Sequence, residues 1–404
     1  MAASLRIGRV FGVPIYLHFT FLIILPLFVW LFSESDQKIL WFTAGFGGLD
    51  APQWEKYAFG TAASVIFFLT ILVHELAHSY LALRYGVRIK SITLMLFGGV
   101  AAMEEMPKEP RQELKMAFAG PASSLAIGGV SLAGMLLIDS LHVHAVFLDG
   151  LSILFGLMAF YNILLAGFNM LPAFPMDGGR VLRAYLATRM SHIDATRKAA
   201  RTGRFMAIAM GVFGLLTGNI WLIFIAFFVY IGATEEERAT AITDSLEGLK
   251  VANIMAHPVE VVHPDTTVQQ LLDLMFATRH MGFPVTDGRL VGIVTLSDAH
   301  RVPRDQAHYA RVGHIMTREV ATVGPDTGAA EALKVMTARG IGRLVVLDRG
   351  SIVGIVTRKD LLRAADVVDA KRRGRHAAYL PPPPPAPPGQ PPYAPPPSPP
   401  AASS

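Results

Sequence analysis

The sequence predicts two fold classes in one chain. The first is a polytopic α-helical membrane domain of about six transmembrane helices with a short re-entrant hairpin. The second is an α+β domain built from a tandem repeat. Three observations carry this. Charged residues make up 17% of the 404 residues and hydrophobic ones 52%, whereas a soluble domain is about 25% charged. The long apolar runs lie in the first 240 residues. Beyond residue 250 the chain repeats itself at offsets of 61 and 62 residues. The predicted boundaries are a membrane domain at 1–240, a linker at 241–250, repeats at 251–308 and 309–366, and a basic, then proline-rich, disordered tail at 367–404.

The expected spans are Pro14–Phe32, Tyr57–Leu83, about Met116–Ile138 and about Ala145–Leu171, and then the run Phe205–Ile231. Thr217, Gly218 and Asn219 carry a turn signal in the middle of that run, which favours two spans over one. The first run is too long for the apolar core of a cleavable signal and follows Arg6 and Arg9, so it reads as a retained span. With the N-terminus inside, the outer loops hold only Lys38 and Lys56, while Arg84, Arg88, Lys90, Lys108, Arg111, Lys115 and the basic residues from Arg180 to Arg204 lie inside. That bias predicts a multi-pass protein of the cell membrane with its N-terminus and everything after Ala233 in the cytoplasm. It also accounts for the net charge of +5 without nucleic-acid binding. Ser91–Met103 is apolar but too short to cross, and its Gly98-Gly99 pair fits a re-entrant or a surface hairpin.

The chain has no cysteine, so any metal must be held by His and carboxylate groups. His74-Glu75-Leu76-Ala77-His78 places two imidazoles one helical turn apart on one face, with a carboxylate beside them. That is the spacing of a zinc site with a general base. Ionisable groups inside a span are costly and mark function, although a polar network bracing the bundle would also use them. Leu81 and Arg84 occupy the glycine and histidine positions of the extended metzincin pattern and exclude it. A third ligand must come from elsewhere. Glu104 and Glu105 lie near a predicted surface, whereas Asp177 lies just inside the cytoplasmic end of the fourth run, at the depth of His78. Pro172 and Pro175 break the helix before it, and Gly178-Gly179 let the chain turn. An ordinary Asp-Gly helix end is the plainer alternative. The expected site is therefore His74, His78 and Asp177 around one Zn²⁺ per chain. Glu75 is the expected base, and Asn169 either donates to the oxyanion or braces the bundle.

In the repeat, "NIMAHPVEVVHPDTT" at Asn253 aligns with "HIMTREVATVGPDTG" at His314, and "LVGIVTLSD" at Leu290 with "IVGIVTRKD" at Ile352. Each unit reads strand–helix–strand–strand–helix. In the second copy the elements fall at Val320–Val323, Ala329–Arg339, Leu344–Asp348, Ile352–Thr357 and Lys359–Ala364. Residues 381–399 are mostly proline and cannot pack a core.

Residues 1–240 resemble the site-2 protease family of intramembrane zinc metalloproteases, through "HELAH" at His74, "FGG" at Phe97, "AGP" at Ala119 and "NMLPAFPMDGG" at Asn169. The resemblance implies hydrolysis of a peptide bond in a transmembrane segment of a regulatory membrane protein. It implies Asp177 as third ligand, Asn169 as a catalytic helper, and a loop at Gly98-Gly99 that clamps an extended substrate by strand addition. The chain departs at "GPASS", where many members carry Asn and this one has Ser123 and Ser124. The repeat resembles a tandem pair of CBS domains. That resemblance implies a cytoplasmic regulatory module, a homodimer through the pair, and an adenine nucleotide whose ribose is held by Thr295 and Asp298 or by Thr357 and Asp360. Helix capping by the same residues is the alternative. A CBS-gated transporter or channel is the other reading of the whole chain, but it leaves His74, Glu75, His78 and Asp177 without a shared purpose.

Overall fold

The computed structural model describes residues 4–39, 42–95, 98–103, 107, 109–143 and 145–377. The chain divides into two compact units, Met1–Thr240 and Ala241–Ser404. Glu104 and Glu105 lie outside the described residues, as does the proline-rich segment 381–399.

The first unit opens with strands rather than a span. Strands β1 (Ser4–Val10) and β2 (Val13–His18) pair antiparallel. They turn at Phe11 and Gly12, both with positive φ, as a two-residue hairpin requires. Helix α1 (Phe21–Glu34) follows. The expected first span Pro14–Phe32 is thus corrected. The chain entering it is strand β2, with Val13 and Ile15 buried in alternation, and α1 rises only about 21 Å against a hydrocarbon core of about 30 Å. After the short pair β3 (Lys38–Ile39) and β4 (Phe42–Thr43) comes α2 (Gln53–Arg84). The expected hairpin is present as β5 (Ile89–Met95) and β6 (Gly98–Met103). It does not stand alone. β5 runs parallel to β2, giving a four-stranded sheet in the order β1-β2-β5-β6 with β6 at its edge.

The remaining helices are α3 (Pro110–Ser140), α4 (Val146–Asn169), α5 (Asp177–Ala187), α6 (His192–Thr217) and α7 (Ile220–Leu246). Among the described residues four helices, α2, α3, α4 and α6, are long and apolar enough to cross a membrane. Lipid offers no hydrophobic gain for joining helices, so close approach through small residues takes over. Gly120, Ser124, Gly128 and Ser131 form such a buried stripe on α3. The run 205–231 resolves into two helices. Gly218 ends α6 in the left-handed region, and the Asn219 side chain accepts from the Leu222 amide to start α7.

The second unit begins within α7, so the expected linker at 241–250 is helical through Leu246. The first repeat contributes α8 (Val268–Thr278), β7 (Gly282–Thr286), β8 (Leu290–Thr295) and α9 (Leu296–Ala299). The second contributes α10 (Val312–Ile315), β9 (Thr322–Val323), α11 (Ala329–Arg339), β10 (Arg343–Asp348), β11 (Ser351–Thr357) and α12 (Arg358–Ala377). Each copy has its own apolar core, one around Leu271 and Val285 and the other around Met336 and Val346. The copies also exchange pairings. Ala256, leading the first copy, bridges to Ile355, and Thr317, leading the second, bridges to Ile293. Residues 367–377, expected in the disordered tail, instead extend α12, where Arg372 pairs with Asp244.

Candidate metal centre

Helix α2 presents His74 and His78 one turn apart, 4% and 7% exposed. Helix α4 ends at Asn169, and the segment Leu171–Met176 leads to Asp177 at the first position of α5. Packing against α6 and α7 places that segment. Ala173 and Met176 lie with Ala207 and Val229, and Phe174 lies with Ala199, Ala200 and Ala233. The result brings together three groups far apart in sequence. Asp177 Oδ2 lies 3.2 Å from His74 Nε2 and 3.1 Å from His78 Nε2, and the two Nε2 atoms are 3.2 Å apart.

The opposite ring nitrogens define the chemistry of this triangle. His78 Nδ1 stands 2.7 Å from the Met116 carbonyl oxygen, which can only accept, so Nδ1 carries the hydrogen and Nε2 presents its lone pair. His74 Nδ1 pairs with the Ser124 hydroxyl at 2.9 Å. When the Ser124 oxygen accepts from His74 Nδ1, two imidazole lone pairs and a carboxylate oxygen converge. A single proton satisfies at most two of the three contacts, while a cation at the centre satisfies all three. A tetrahedral zinc site, with bonds of about 2.0–2.1 Å, sets its ligand atoms about 3.3 Å apart, close to the observed spacing. The donor set thus fits the metal, and these residues form a candidate metal group among the described residues.

Gly120 on α3 keeps this space open. A Cβ there would stand 2.1 Å from His78 Nε2 and 2.5 Å from His74 Nε2. Glu75 faces the edge strand, and a Cβ at Gly99 would lie 2.4 Å from its Cγ. A cavity of about 500 Å³ joins His74, Glu75, His78, Asn169, Asp177 and Arg180 to Gly99, Ala101 and Met103 of the β5–β6 hairpin. Its apolar wall is Phe28, Phe67, Phe68 and Ile71. Asn169 lines this cavity while one of its amide hydrogens is held by the Leu165 carbonyl at 3.0 Å.

Sequence reasoning missed Ser124, the Met116 carbonyl and Arg180. The signal for Ser124 was present, since it lies one helical turn after the Gly120 of "AGP". Met116 acts through its backbone, which no residue pattern shows. Arg180 follows Asp177 by three residues on α5 and so shares its face.

In the second unit the Thr–Asp pairs bond to each other. Asp298 Oδ2 accepts from the Thr295 amide and hydroxyl at 2.9 and 2.7 Å, and Asp360 Oδ2 from those of Thr357 at 3.0 and 2.6 Å. These are helix caps. Thr295 and Asp298 also line a cleft of about 1120 Å³ with Arg301, Glu319, Arg339 and Arg343. Thr357 and Asp360 do not line this cleft. Burial pushes the Arg343 guanidinium below its ordinary pKa, and the Asp298 carboxylate opposes that.

Known proteins match both units. Peptidase family M50 matches residues 62–142 and 130–213, and the CBS domain matches 251–305 and 312–366. A zinc metalloprotease of Methanocaldococcus jannaschii is 34% identical over 372 residues, covering 92% of this chain and 98% of that protein. Rip3 of Mycobacterium tuberculosis is 33% identical over 383 residues, 91% of this chain and 94% of its own. The solved site-2 protease from Methanocaldococcus jannaschii is 36% identical, covering 58% of this chain and 95% of that one, with a TM-score of 0.41. Similarity to a zinc metalloprotease along nearly its whole length removes the transporter or channel reading. The chain belongs to peptidase family M50, as a site-2-type zinc metalloprotease of the membrane that carries a tandem CBS pair.

Proposed function

We infer that His74, His78 and Asp177 hold the zinc and that Glu75 is the general base for hydrolysis of a peptide bond within a substrate's transmembrane segment. The observation that carries this reading is the convergence of His74 Nε2, His78 Nε2 and Asp177 Oδ2, with the His78 ring oriented by the Met116 carbonyl and the His74 ring held by Ser124. Zinc bound there supplies Lewis acidity, polarising a carbonyl and making water a better nucleophile at neutral pH. Glu75 takes a proton from the attacking water and delivers it to the departing amide nitrogen, so one water is consumed and an acid and an amine are released. Asn169 has a second amide hydrogen, beyond the one given to Leu165, to offer the carbonyl oxygen as charge develops on it.

The substrate is a regulatory membrane protein. Its cleaved segment must leave the helical state, because a helix encloses its own peptide groups. The edge position of β6 beside Glu75 supports strand addition as the way an extended segment is held. The basic inner loops support an N-terminus and CBS pair on the cytoplasmic side. The three guanidinium groups in the Thr295 cleft support an adenine nucleotide as ligand, with Thr295 and Asp298 at its ribose and Thr357 and Asp360 at a second copy of the site. On this reading, which rests on the resemblance to tandem CBS pairs, the pair is also the regulatory module and the surface of a homodimer.

Glu75→Gln tests the core of this reading. The variant is expected to keep its zinc and to lose about 10²–10⁴-fold in cleavage of a co-expressed membrane substrate. Undiminished cleavage would remove Glu75 as the base.

A further inference from the structure

Asp177 reaches the histidines because the segment before it and the helix after it are held from behind. We propose that Arg183, clamped between Glu113 on α3 and Glu236 on α7, positions Asp177, and that the face of α7 carrying Glu236 thereby sets zinc affinity. This rests on the reading of Asp177 as a zinc ligand.

Arg183 follows Asp177 on α5 and is 2% exposed. Its Nε donates to Glu113 Oε1 at 2.7 Å, its Nη2 lies 2.5 Å from the same oxygen, and its Nη1 donates to Glu236 Oε1 at 2.6 Å. The guanidinium also sits over the Phe174 ring, 5.1 Å from its centroid, in the segment that leads to Asp177. Glu113 is 1% exposed and lies one turn before Met116, whose carbonyl orients His78. One guanidinium therefore joins the wall behind His78 to the helix that carries Asp177.

The second carboxylate makes α7 part of the clamp. Gly232 and Ala233 stand one turn before Glu236 on the same face. A Cβ at Gly232 would lie 2.6 Å from Cδ of Pro175, and Ala233 packs in the cluster around Phe174. Glu237, next along α7, pairs with Arg204 of α6. A guanidinium presents its donors in a fixed plane and can bridge two carboxylates at a set angle, which a lysine ammonium cannot reproduce. Burying this group away from the reacting atoms is costly for a merely decorative role. None of these charges takes part in the hydrolytic steps.

The test uses the full chain in detergent, with Glu236→Gln, Arg183→Lys and Gly232→Ala beside Asp177→Asn. Zinc affinity is read by chelator competition, site geometry by the visible spectrum of the Co²⁺-loaded protein, and folding by melting of the metal-free protein. The proposal expects Glu236→Gln and Gly232→Ala to weaken zinc about 10-fold and Arg183→Lys about 10–100-fold, as for partners that orient ligands. The Co²⁺ spectrum should shift, while the metal-free melting temperature of Glu236→Gln stays that of the wild type. Glu236→Gln touches only the contact to Nη1 and leaves the Nε and Nη2 contacts to Glu113 with both partners present, and the Glu236 side chain is 34% exposed, so this variant decides the matter even if Arg183→Lys does not fold. Unchanged zinc affinity and Co²⁺ spectrum in Glu236→Gln and Gly232→Ala, with zinc lost in Asp177→Asn, would overturn the proposal. So would a lowered metal-free melting temperature with zinc affinity intact. Unchanged zinc affinity in Asp177→Asn would instead overturn the ligand reading beneath it.

Discussion

His78 Nδ1 and the Met116 carbonyl, 2.7 Å apart, show how atoms outside a candidate metal group orient its members. In the neutral ring that hydrogen bond leaves Nε2 its lone pair, and the Ser124 hydroxyl, able to donate or accept, holds the ring of His74 in place. Gly120 completes the arrangement by what it lacks. A methyl group there would overlap both Nε2 atoms. Gly120→Ala is therefore predicted to fold yet lose most of its zinc, measured as metal per chain after purification. The histidine spacing was legible in the sequence because a helix repeats every 3.6 residues and the motif fits one face. Ser124 was legible only by its place one turn after Gly120; its pairing with His74 was not, because that partner sits fifty residues away on another helix.

At the scale of elements, the edge strand β6 and helix α2 meet at Gly99 and Glu75. Side-chain volume at that point would displace the carboxylate while leaving the histidines on their own helix. Gly99→Ala is thus predicted to retain zinc but to cleave at least about 10-fold more slowly, the loss appearing in kcat as misplacement of a proton-transfer group does. Equal zinc loss in both glycine variants would argue against this division of labour. The sheet that presents β6 was only half legible. The hairpin showed in the paired glycines, but β2 was hidden inside an apolar run that reads as part of a span. Alternation of Val13 and Ile15 was the available signal, and the continuous apolar stretch after it masked the change of period. Similarly, Arg358–Ala377 continues as one helix past the predicted repeat boundary, because residues 367–373 contain neither glycine nor proline to stop it.

At the scale of the whole molecule, a membrane-embedded protease and a CBS pair share one chain. The repeat was legible from its offset, yet the reciprocal bridges of Ala256 with Ile355 and Thr317 with Ile293 were not, because exchange between copies leaves no mark on the period. The cleft that carries Arg301, Arg339 and Arg343, with Asp298 and Glu319 beside them, is where the proposed nucleotide would bind. Adenine nucleotides at 100 times their dissociation constant would stabilise this unit by about 2.7 kcal/mol, read as a rise in its melting temperature. No shift with millimolar ATP, ADP or AMP would assign the pair to docking alone.

Zinc content of the purified full-length chain beside its Asp177→Asn variant tests the central claim most directly. The wild type should hold about one zinc per chain, as a single mononuclear site requires, and the variant should hold little or none after the same purification. Wild-type stoichiometry and affinity in Asp177→Asn would contradict the assignment of His74, His78 and Asp177 as the ligand set.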